Sequence, residues 1–341
     1  MRFIANLPPG DRRALFANAA EKAGLTEAII EKDFWVCWTL DYLFHRCEWR
    51  NDLSFKGGTS LSKAFRLIER FSEDIDIVLN WQALGYSISE PWEQRSNTKQ
   101  DQFNKEANER TIDFLRDFFV PSIQAEVSAE LNTDIRITPD EDEGQTVLFT
   151  YPQEFSDQSV LQVIRLEIGS LGAWTPASDR VIKPYAAEQY GHLFHEPATA
   201  IRTVLPERTF WEKATILHHE ANRPIDSNMP QRYSRHYYDL YCLAGSWVKE
   251  AAFADMELLK KVVDFKRKFY PRSWARYEHA FPGTMKLMPP LHNMKWLEND
   301  YTHTQSMIFG VKPGFQKLMD GILYLEKEIN NLKLIKPERG A

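Results

Sequence analysis

The chain has 341 residues and a formal net charge of −6, with 42 Lys and Arg against 48 Asp and Glu. Its length indicates two or three structural units, and 43% hydrophobic with 26% charged residues excludes a disordered chain. No run of about 18 apolar residues occurs, so we expect no membrane span. The N-terminus lacks the apolar core of a secretory signal, and three cysteines cannot build a disulfide framework, so we expect a cytoplasmic protein.

Helical periodicity is the commonest pattern along the chain. In chain order it predicts helices over residues 10–49, Thr59–Arg70, residues 99–121, and nearly all of the chain from Thr209 onward. Within Glu27–His45 the apolar spacing predicts a core helix that includes Trp35 and Trp38. The helix over 99–121 has a predicted apolar stripe of Phe103, Ile112, Leu115 and Phe118.

Alternation and turn residues predict strands between these helices. The predicted strands are residues 53–55, Ile75–Leu79, a hairpin of residues 134–138 and 146–151, and Val160–Ile168. This order predicts an α+β fold. We expect an N-terminal helical segment over residues 1–50, a core over 51–204, and a helical C-terminal domain over 205–341.

The most informative stretch is LSFKGGTSLSKAFRLIERFSEDIDIVL, residues 53–79. Asp74 and Asp76 are two positions apart on a predicted strand, so both carboxylates leave the same face. Two adjacent anions require a compensating cation, and oxygen-only ligands suit Mg²⁺ or Mn²⁺. Gly57-Gly58 precedes a predicted helix, where backbone N–H groups can approach phosphate, and hydroxyl donors follow at Thr59 and Ser60.

Each part of this stretch also has an ordinary structural explanation. An Asp-x-Asp at a strand edge is usually a solvated acidic turn, and Gly-Gly before a helix is usually a tight turn. The stretch is not a Walker A loop, because the G-x-x-x-x-G-K-[ST] pattern is absent. The combination of strand, Gly-Gly-Thr-Ser, helix and Asp-x-Asp is more specific. It predicts a triphosphate between the turn and the aspartates, with metal bridging them.

Gly57-Gly58-Thr59-Ser60 followed by Asp74-Ile75-Asp76 resembles the signature of the DNA polymerase β-like nucleotidyltransferase superfamily. The fuller text KGGTSLSKAF…RFSEDIDI resembles the AbiEii/AbiGii family of nucleotidyltransferase toxins from toxin–antitoxin and phage-abortive systems. This resemblance implies a nucleotidyltransferase-like mixed β-sheet flanked by helices. It also implies a nucleoside triphosphate substrate with Mg²⁺, bound through the Gly-Ser/Thr turn and the paired aspartates.

The resemblance implies three further site residues. Glu167 in RLEIG matches the third carboxylate of the superfamily, although an outward-facing strand glutamate explains it equally simply. Lys213 in LPERTFWEKATILHHE matches a lysine that faces the nucleotide, and Asp239 in SRHYYDLYCLA matches the acidic residue of the next motif. The chain departs from the family pattern at Leu217-His218, where Thr or Asp is common. Lys213 and Asp239 could also form an ordinary buried ion pair.

From these residues we expect a nucleotidyl transfer in which Asp74, Asp76 and Glu167 hold two metal ions. Phosphates would be bound by the turn and by neighbouring lysines: Lys56, Gly57, Gly58, Thr59, Ser60, Lys63 and Lys213. The family resemblance implies an RNA acceptor, notably the 3′ end of tRNA, and an antitoxin partner. The alternatives are transfer to a protein or small molecule, and a catalytically silent scaffold that binds nucleotide or antitoxin.

Positive charge is concentrated near the C-terminus. Residues 251–341 contain 15 Lys and Arg against 10 Asp and Glu, a net charge of +5. We interpret the densest part as a candidate RNA-binding surface, formed by Lys260, Lys261, Lys266, Arg267, Lys268 and Arg272. Interleaved Phe265, Phe269, Tyr270 and Trp274 could stack on bases, or they could be core residues behind a solvated helix face.

Other candidate sites are weaker. His218-His219-Glu220 and His236 contain metal-ligating residues, but adjacent helical histidines point in different directions and no H-E-x-x-H is present. Cys242 lies in an aromatic helical stretch, which favours a core residue over a nucleophile.

Overall fold

A computed structural model describes residues 1–72, 74–132, 135–157 and 160–332. These residues form two compact units. The first unit contains residues 1–65 and 72–204, and the second contains residues 66–71 and the chain from residue 205 onward. Thus the N-terminal helices share a unit with the predicted core. After Val204 the chain continues in the second unit.

Helical periodicity predicted part of the helices of the first unit, whereas those over Arg2–Ala5 and Tyr185–Tyr190 and most of Val120–Glu130 have no predicted counterpart. Their bounds are α1 Arg2–Ala5, α2 Pro9–Ala23, α3 Glu27–His45, α4 Gly57–Lys63, α5 Asn97–Phe114, α6 Val120–Glu130 and α7 Tyr185–Tyr190. A π-helical turn, Leu115–Phe119, joins α5 to α6. In this wider turn Phe119 is buried and Phe118 is 63% exposed, so Phe118 was wrongly placed in the apolar stripe.

The predicted helix Thr59–Arg70 is too long. Helix α4 ends at Lys63, and Arg66 has a positive φ of 53°, which a helix cannot continue through. Beyond it the chain is extended in the second unit. There the Phe71 N–H donates to Met307 O (2.8 Å), and the Phe309 N–H donates to Glu69 O (3.0 Å). These nonlocal hydrogen bonds override the local helical pattern.

The strands of the first unit form a mixed sheet. Within the described residues its order is β3-β4-β5-β2-β1-β7-β6. The bounds are β1 Leu53–Lys56, β2 Asp74–Leu79, β3 Arg136–Pro139, β4 Thr146–Thr150, β5 Ile164–Gly169, β6 Ala177–Ile182 and β7 Thr199–Val204. The predicted α+β fold is therefore confirmed, as is the β3–β4 hairpin, whose predicted residue 134 lies outside the described residues.

Three strands differ from the prediction. β5 begins at Ile164 and not at Val160, and β6 and β7 have no predicted counterpart. β6 alternates only weakly because five of its six residues, Ala177–Val181, are partly or fully exposed. It pairs with β7 along six positions, so the hydrogen-bond ladder and not hydrophobic patterning defines this strand pair.

The two faces of the sheet differ in polarity. One face contributes Ile75 and Ile77 to the core, where α3 places Trp35 and Trp38 against Phe149 with ring centroids 6.5 and 6.0 Å apart. Both tryptophans are fully buried, as the helical spacing predicts. The opposite face has polar side chains at alternate positions of β2 and β5. Strand alternation thus separates the core from a polar surface.

The second unit is helical apart from the extended segment 66–71. Its helices are α8 Pro206–Ala221, α9 Ser234–Ala244, α10 Trp247–Ala254, α11 Met256–Phe269, α12 Leu291–Ser306 and α13 Phe315–Asn331. This confirms the helical prediction up to residue 332, and the remaining predicted residues lie outside the described ones. In the described part of the chain, no helix combines the length and apolarity that a membrane span requires.

Candidate active site

A row of polar residues crosses the centre of the sheet. Lys56 of β1 is paired with Asp76 of β2, and Asp76 is paired with Glu167 of β5. Residues paired across neighbouring strands project from the same face, so the Asp76 and Glu167 carboxylates lie side by side. Both side chains are half-buried. The register therefore brings together two acids that are 91 positions apart in the sequence.

Asp74 lies on the same face, two residues from Asp76, but its surroundings differ. It is paired with Arg165 of β5, whose Nε is 3.8 Å from Asp74 Oδ1. The same guanidinium binds Asp140 at 2.9 Å and Glu143 at 2.7 Å, both in the β3–β4 loop. The sequence analysis missed Arg165; the signal was the basic residue two positions before Glu167, facing an acidic loop.

Gly57 lies against the Asp76 carboxylate. Its φ is +77°, a conformation that L side chains rarely adopt. A Cβ atom at this position would overlap the carboxylate carbon and Oδ2 of Asp76. Position 57 therefore requires glycine for two reasons: the positive φ of its backbone and the close approach of the Asp76 carboxylate. The turn at the start of α4 and the acid row form one continuous site.

The rest of the turn is buried and internally hydrogen-bonded. The Thr59 hydroxyl donates to the Asp74 carbonyl, and the Ser60 hydroxyl donates to the Gly57 carbonyl at 2.8 Å. Both side chains are at most 1% exposed, and Gly58 is buried beside them. The two hydroxyl hydrogens thus hold the turn to β2 and to itself. Their donation to phosphate stays a prediction.

Lys63 has a protein partner. Its ammonium is 2.7 Å from Asp33 of α3 and 3.7 Å from the ring centroid of Tyr185, and both charged side chains are buried. Burial lowers the pKa of Lys63, but the Asp33 charge outweighs it and the pKa is raised overall. The Tyr185 N–H also donates to Asp33 (2.7 Å). Lys63 is therefore anchored within the first unit, and its contact with phosphate stays a prediction.

The donor chemistry of the row fits a hard divalent cation, since Asp76 and Glu167 offer carboxylate oxygens on one face. Among the described residues, however, no three acidic, His or Cys side chains converge closely enough to hold a metal ion. Asp74 is paired with Arg165, whose Nε lies 3.8 Å from its Oδ1. Asp76 and Glu167 thus fit as a ligand pair, and Asp74 as third ligand stays a prediction.

The second unit contains a buried ionic network around Asp239. This carboxylate is fully buried and accepts two hydrogen bonds from Arg70, at 2.7 and 2.8 Å, in a bidentate pair. Lys213 of α8 lies 2.8 Å from the same carboxylate. Burial alone would raise the pKa of Asp239, but Arg70 and Lys213 reverse the effect and hold it below its ordinary value. The acid is therefore ionised and satisfied on both oxygens.

The pKa values of Lys213 and His236 are both lowered by burial and by neighbouring cations. Burial lowers the pKa of Lys213, and the cations Arg70 and Arg235 lower it further against the attraction of Asp239. His236 Nδ1 is 3.4 Å from Lys213 Nζ. Its pKa is far below the ordinary value because it is buried among these cations, so the ring is neutral. Lys213 and Asp239 thus form the buried ion pair that the sequence analysis gave as the alternative, and a role of either residue in the reaction stays a prediction.

Arg70 is a member of the ionic network that the sequence analysis missed. It was assigned to the end of a helix, whereas the structure places it in the extended segment that bridges to Ile308. The available signal was its position at the start of RFSEDIDI, the text on which the family resemblance depends.

In the C-terminal basic segment, aromatic residues pack in the core behind a solvated helix face, as the second of the two explanations predicts. In α11 Phe265 and Phe269 are buried, and Trp274 packs on His219 with centroids 4.3 Å apart. Stacking of these rings on bases is therefore wrong, because they face the core; Tyr270 is 46% exposed. The cationic side chains remain on the surface, with Lys260, Lys261, Arg267 and Arg272 exposed and Lys266 and Lys268 partly exposed.

The histidines and Cys242 have structural roles. His218 Nδ1 accepts from the Lys286 N–H (3.0 Å), and its Nε2 lies 3.0 Å from Arg276 O. Burial raises the pKa of the Cys242 thiol to about 11, which disfavours a nucleophilic thiolate.

A paired-acid row on a mixed sheet, with a glycine turn against one acid, is the arrangement expected of a nucleotidyltransferase. A family model described as "Nucleotidyl transferase AbiEii toxin, Type IV TA system" matches residues 40–321. The chain belongs to this family of nucleotidyltransferase toxins from toxin–antitoxin systems, as the sequence resemblance implied. No curated protein matches it.

A similar solved structure is MenT4, the nucleotidyltransferase toxin Rv2826c from Mycobacterium tuberculosis H37Rv. The two sequences are 16% identical, and the similarity covers 94% of this chain and 97% of MenT4 with a TM-score of 0.42.

Proposed function

We propose that this nucleotidyltransferase transfers a nucleoside monophosphate from a nucleoside triphosphate to RNA, with the 3′ end of tRNA as the expected acceptor. The observation that carries the proposal is the contact between the Gly57 turn and Asp76, beside Glu167. It supports a site where phosphate oxygens and carboxylates approach one another closely. Such a site requires positive charge between them, which we propose a divalent ion such as Mg²⁺ or Mn²⁺ supplies when bound.

In the proposed reaction a hydroxyl oxygen of the acceptor attacks the α-phosphorus in line with the leaving group. A new P–O ester bond forms as the bond to pyrophosphate breaks. Asp76 would be a ligand of the divalent ion beside the reacting phosphate. Glu167 accepts the proton released from the acceptor hydroxyl. Backbone N–H groups of Gly57 and Gly58 are the proposed donors to phosphate, since the Thr59 and Ser60 hydroxyls are used within the turn.

We assign Lys213 the neutralisation of phosphate charge, with Asp239 and Arg70 as its positioning residues. A lysine at 2.8 Å from a fully buried carboxylate has little freedom to reorient. The bidentate Arg70 fixes that carboxylate in turn, because two parallel hydrogen bonds allow one orientation. Lys56, whose backbone is paired opposite Asp76, is the remaining proposed phosphate contact.

Transfer is tested with radiolabelled nucleoside triphosphates, total tRNA and either Mg²⁺ or Mn²⁺. We expect label in RNA with the unaltered protein and a loss of at least about 100-fold with Asp76→Asn. Asp113→Asn, an exposed acid of α5, is the matched control and should retain transfer. Failure of the unaltered protein under every metal and nucleotide condition would contradict the proposed function. Loss of label to protease but not to RNase would assign a protein acceptor.

For the acceptor we propose the exposed cationic surface of α11 and the residues after it. Neutralising phosphates with these side chains releases counterions, so binding should weaken steeply with salt. Charge reversal of Lys266, Arg267 and Lys268 to Glu should weaken tRNA binding and flatten its salt dependence while leaving nucleotide binding unchanged. The control reverses three exposed lysines in and beside α13, Lys312, Lys317 and Lys327. Equal losses in both triple variants would show a general charge effect and reject the surface.

Membership of a toxin family supports an antitoxin as partner. We propose that such a protein binds this chain, and co-purification with the product of a neighbouring small reading frame tests it. The proposal would be contradicted if that product did not bind this chain and left its transfer activity unchanged.

A further inference from the structure

A buried ion pair holds the C-terminal end of α4, the helix that begins at Gly57. Lys63 is the last residue of α4 and lies 2.7 Å from Asp33 of α3, and the two side chains are 6% and 3% exposed. After Phe65 the chain leaves the first unit. Helix α4 has seven residues, so this ion pair lies about 9 Å along the helix axis from Gly57.

The N-terminal end of α4 has its own attachment. The Thr59 hydroxyl donates to the Asp74 carbonyl of β2, and the Ser60 hydroxyl donates to the Gly57 carbonyl at 2.8 Å. A short helix that is held at one end can pivot about that end, whereas a helix held at both ends cannot. The fit at Gly57 is sensitive to such a pivot, because the Asp76 carboxylate leaves no room there even for a Cβ atom.

Asp33 is a firm attachment point for Lys63. Its neighbours on α3, Phe34 and Trp35, are fully buried in the core. Its Oδ1 binds Lys63, and its Oδ2 accepts the Tyr185 N–H at 2.7 Å. The Lys63 ammonium also lies 3.7 Å from the centroid of the Tyr185 ring. The lysine is thus enclosed by an acid and an aromatic face, which leaves it little freedom to extend toward a ligand.

We propose that Lys63 and Asp33 are positioning residues for nucleotidyl transfer, and that they hold the Gly57 turn against Asp76. This inference rests on the phosphate-binding turn of the proposed function, and it replaces the phosphate contact that the sequence predicts for Lys63. Removing one charge of the pair leaves the other buried without compensation, so the end of α4 must shift. The backbone N–H groups of Gly57 and Gly58 then move away from the phosphate oxygens that they are proposed to bind.

The test compares Lys63→Met with the double variant Asp33→Asn/Lys63→Met. In the single variant Asp33 keeps a buried charge, and we expect the rate of transfer to fall about tenfold or more because the turn is misplaced. The double variant retains neither charge. Its methionine packs on the Tyr185 ring, and its new amide oxygen still accepts the Tyr185 N–H. We therefore expect it to transfer at least about fivefold faster than the single variant.

Glu31→Gln is the matched control. Glu31 is also a fully buried acid of α3, but its carboxylate accepts the backbone N–H groups of residues 154 and 155. This variant should retain transfer. Transfer is scored on whichever acceptor the unaltered chain labels, so the result does not depend on RNA being that acceptor.

Amide hydrogen exchange of residues 57–63 is a second measurement, made on the full chain without nucleotide, metal or acceptor. We expect exchange to be faster in Lys63→Met, to return toward that of the unaltered chain in the double variant, and to be unchanged in Glu31→Gln. Because no turnover is involved, this measurement decides whether the ion pair holds the turn even if the proposed transfer fails.

A direct contact of Lys63 with phosphate gives different results. Both Met variants then lack that contact, so a double variant that transfers no faster than Lys63→Met overturns the positioning role. Equal exchange of residues 57–63 in Lys63→Met and the unaltered chain also overturns it, as does an equal loss of transfer in Glu31→Gln. Thermal melts show whether each variant folds. If Lys63→Met does not fold, the double variant decides, since transfer within about tenfold of the unaltered chain supports the role and a larger loss overturns it.

Discussion

The acid row of the first unit and the ionic network of the second unit handle charge in opposite ways. Asp76 and Glu167 are half-buried neighbours of like charge on one sheet face. Asp239 is fully buried, yet three hydrogen bonds and ion pairs to Arg70 and Lys213 satisfy it. The row pairs two half-buried acids across neighbouring strands, whereas the network encloses one acid between two cations. The two regions therefore differ in burial and in the number of acids that lie together.

Because of this difference, we expect substitutions in the two regions to affect different properties of the protein. Removing one of two adjacent carboxylates relieves repulsion, so changes in the row should affect activity more than stability. Removing a buried carboxylate leaves its cations without compensation, so changes in the network should affect stability first. Two predictions test this contrast and a third concerns a buried histidine outside both regions; they follow in order of decreasing effect.

Gly57→Ala should give the largest loss. The new Cβ overlaps the Asp76 carboxylate and the backbone remains at positive φ, so either the turn or the acid must move. We expect transfer to fall at least about 100-fold. Gly24→Ala is the matched control, because Gly24 also has a positive φ (65°) but open space around its Cβ position. Similar transfer rates for the two variants would show that the close contact with Asp76 has no catalytic importance.

Asp239→Asn should destabilise the protein strongly. Arg70 and Lys213 would remain buried without a carboxylate, at a cost of about 3–5 kcal/mol in the free energy of unfolding. Urea denaturation measures this, with Asp320→Asn, an exposed position on α13, as the control that should leave the midpoint unchanged. A midpoint for Asp239→Asn equal to that of the control would remove the distinction between the two regions.

The smallest expected effect is a pH dependence of the free energy of unfolding, caused by His219. His219 is 9% exposed, its Nε2 has no hydrogen-bond partner among the described residues, and burial lowers the pKa of its ring to about 3 from 6.5. The unfolded chain therefore binds a proton first, and stability is lost as pH falls below about 6.5. Between pH 7.5 and 5 we expect the free energy of unfolding of the wild type to fall by about 2 kcal/mol more than that of His219→Phe.

Urea denaturation at both pH values measures this difference. His292→Phe, at an exposed position on α12, should retain the wild-type pH dependence. An identical acid response in His219→Phe and wild type would show that partnerless burial does not keep this histidine neutral.

Much of the fold follows from local patterns. Helical spacing predicted α3 and its buried tryptophans, and alternation predicted β1, β2 and the β3–β4 hairpin. The pattern failed where pairing with distant residues decided the conformation. Residues 66–71 are extended because they bridge to residues 307–309, and β6 and β7 are strands because they pair with each other.

The candidate site divides in the same way. Asp74 and Asp76 share a face by strand periodicity alone, and the Gly57 turn is identifiable from its glycines. The partners of Arg165 could not be predicted because they are remote in sequence, and its pairing with Asp74 follows from strand register.

The sequence by itself determined the family, the α+β class and the residue types of the site, because motifs and periodicity are local properties of the chain. Only the tertiary structure decided which acids are neighbours, since register pairs Asp76 with Glu167 and Asp74 with Arg165. It also decided that Lys63 and Asp239 are satisfied by buried partners. The physical reason is that charge is compensated in space, among groups that the chain brings together from distant positions.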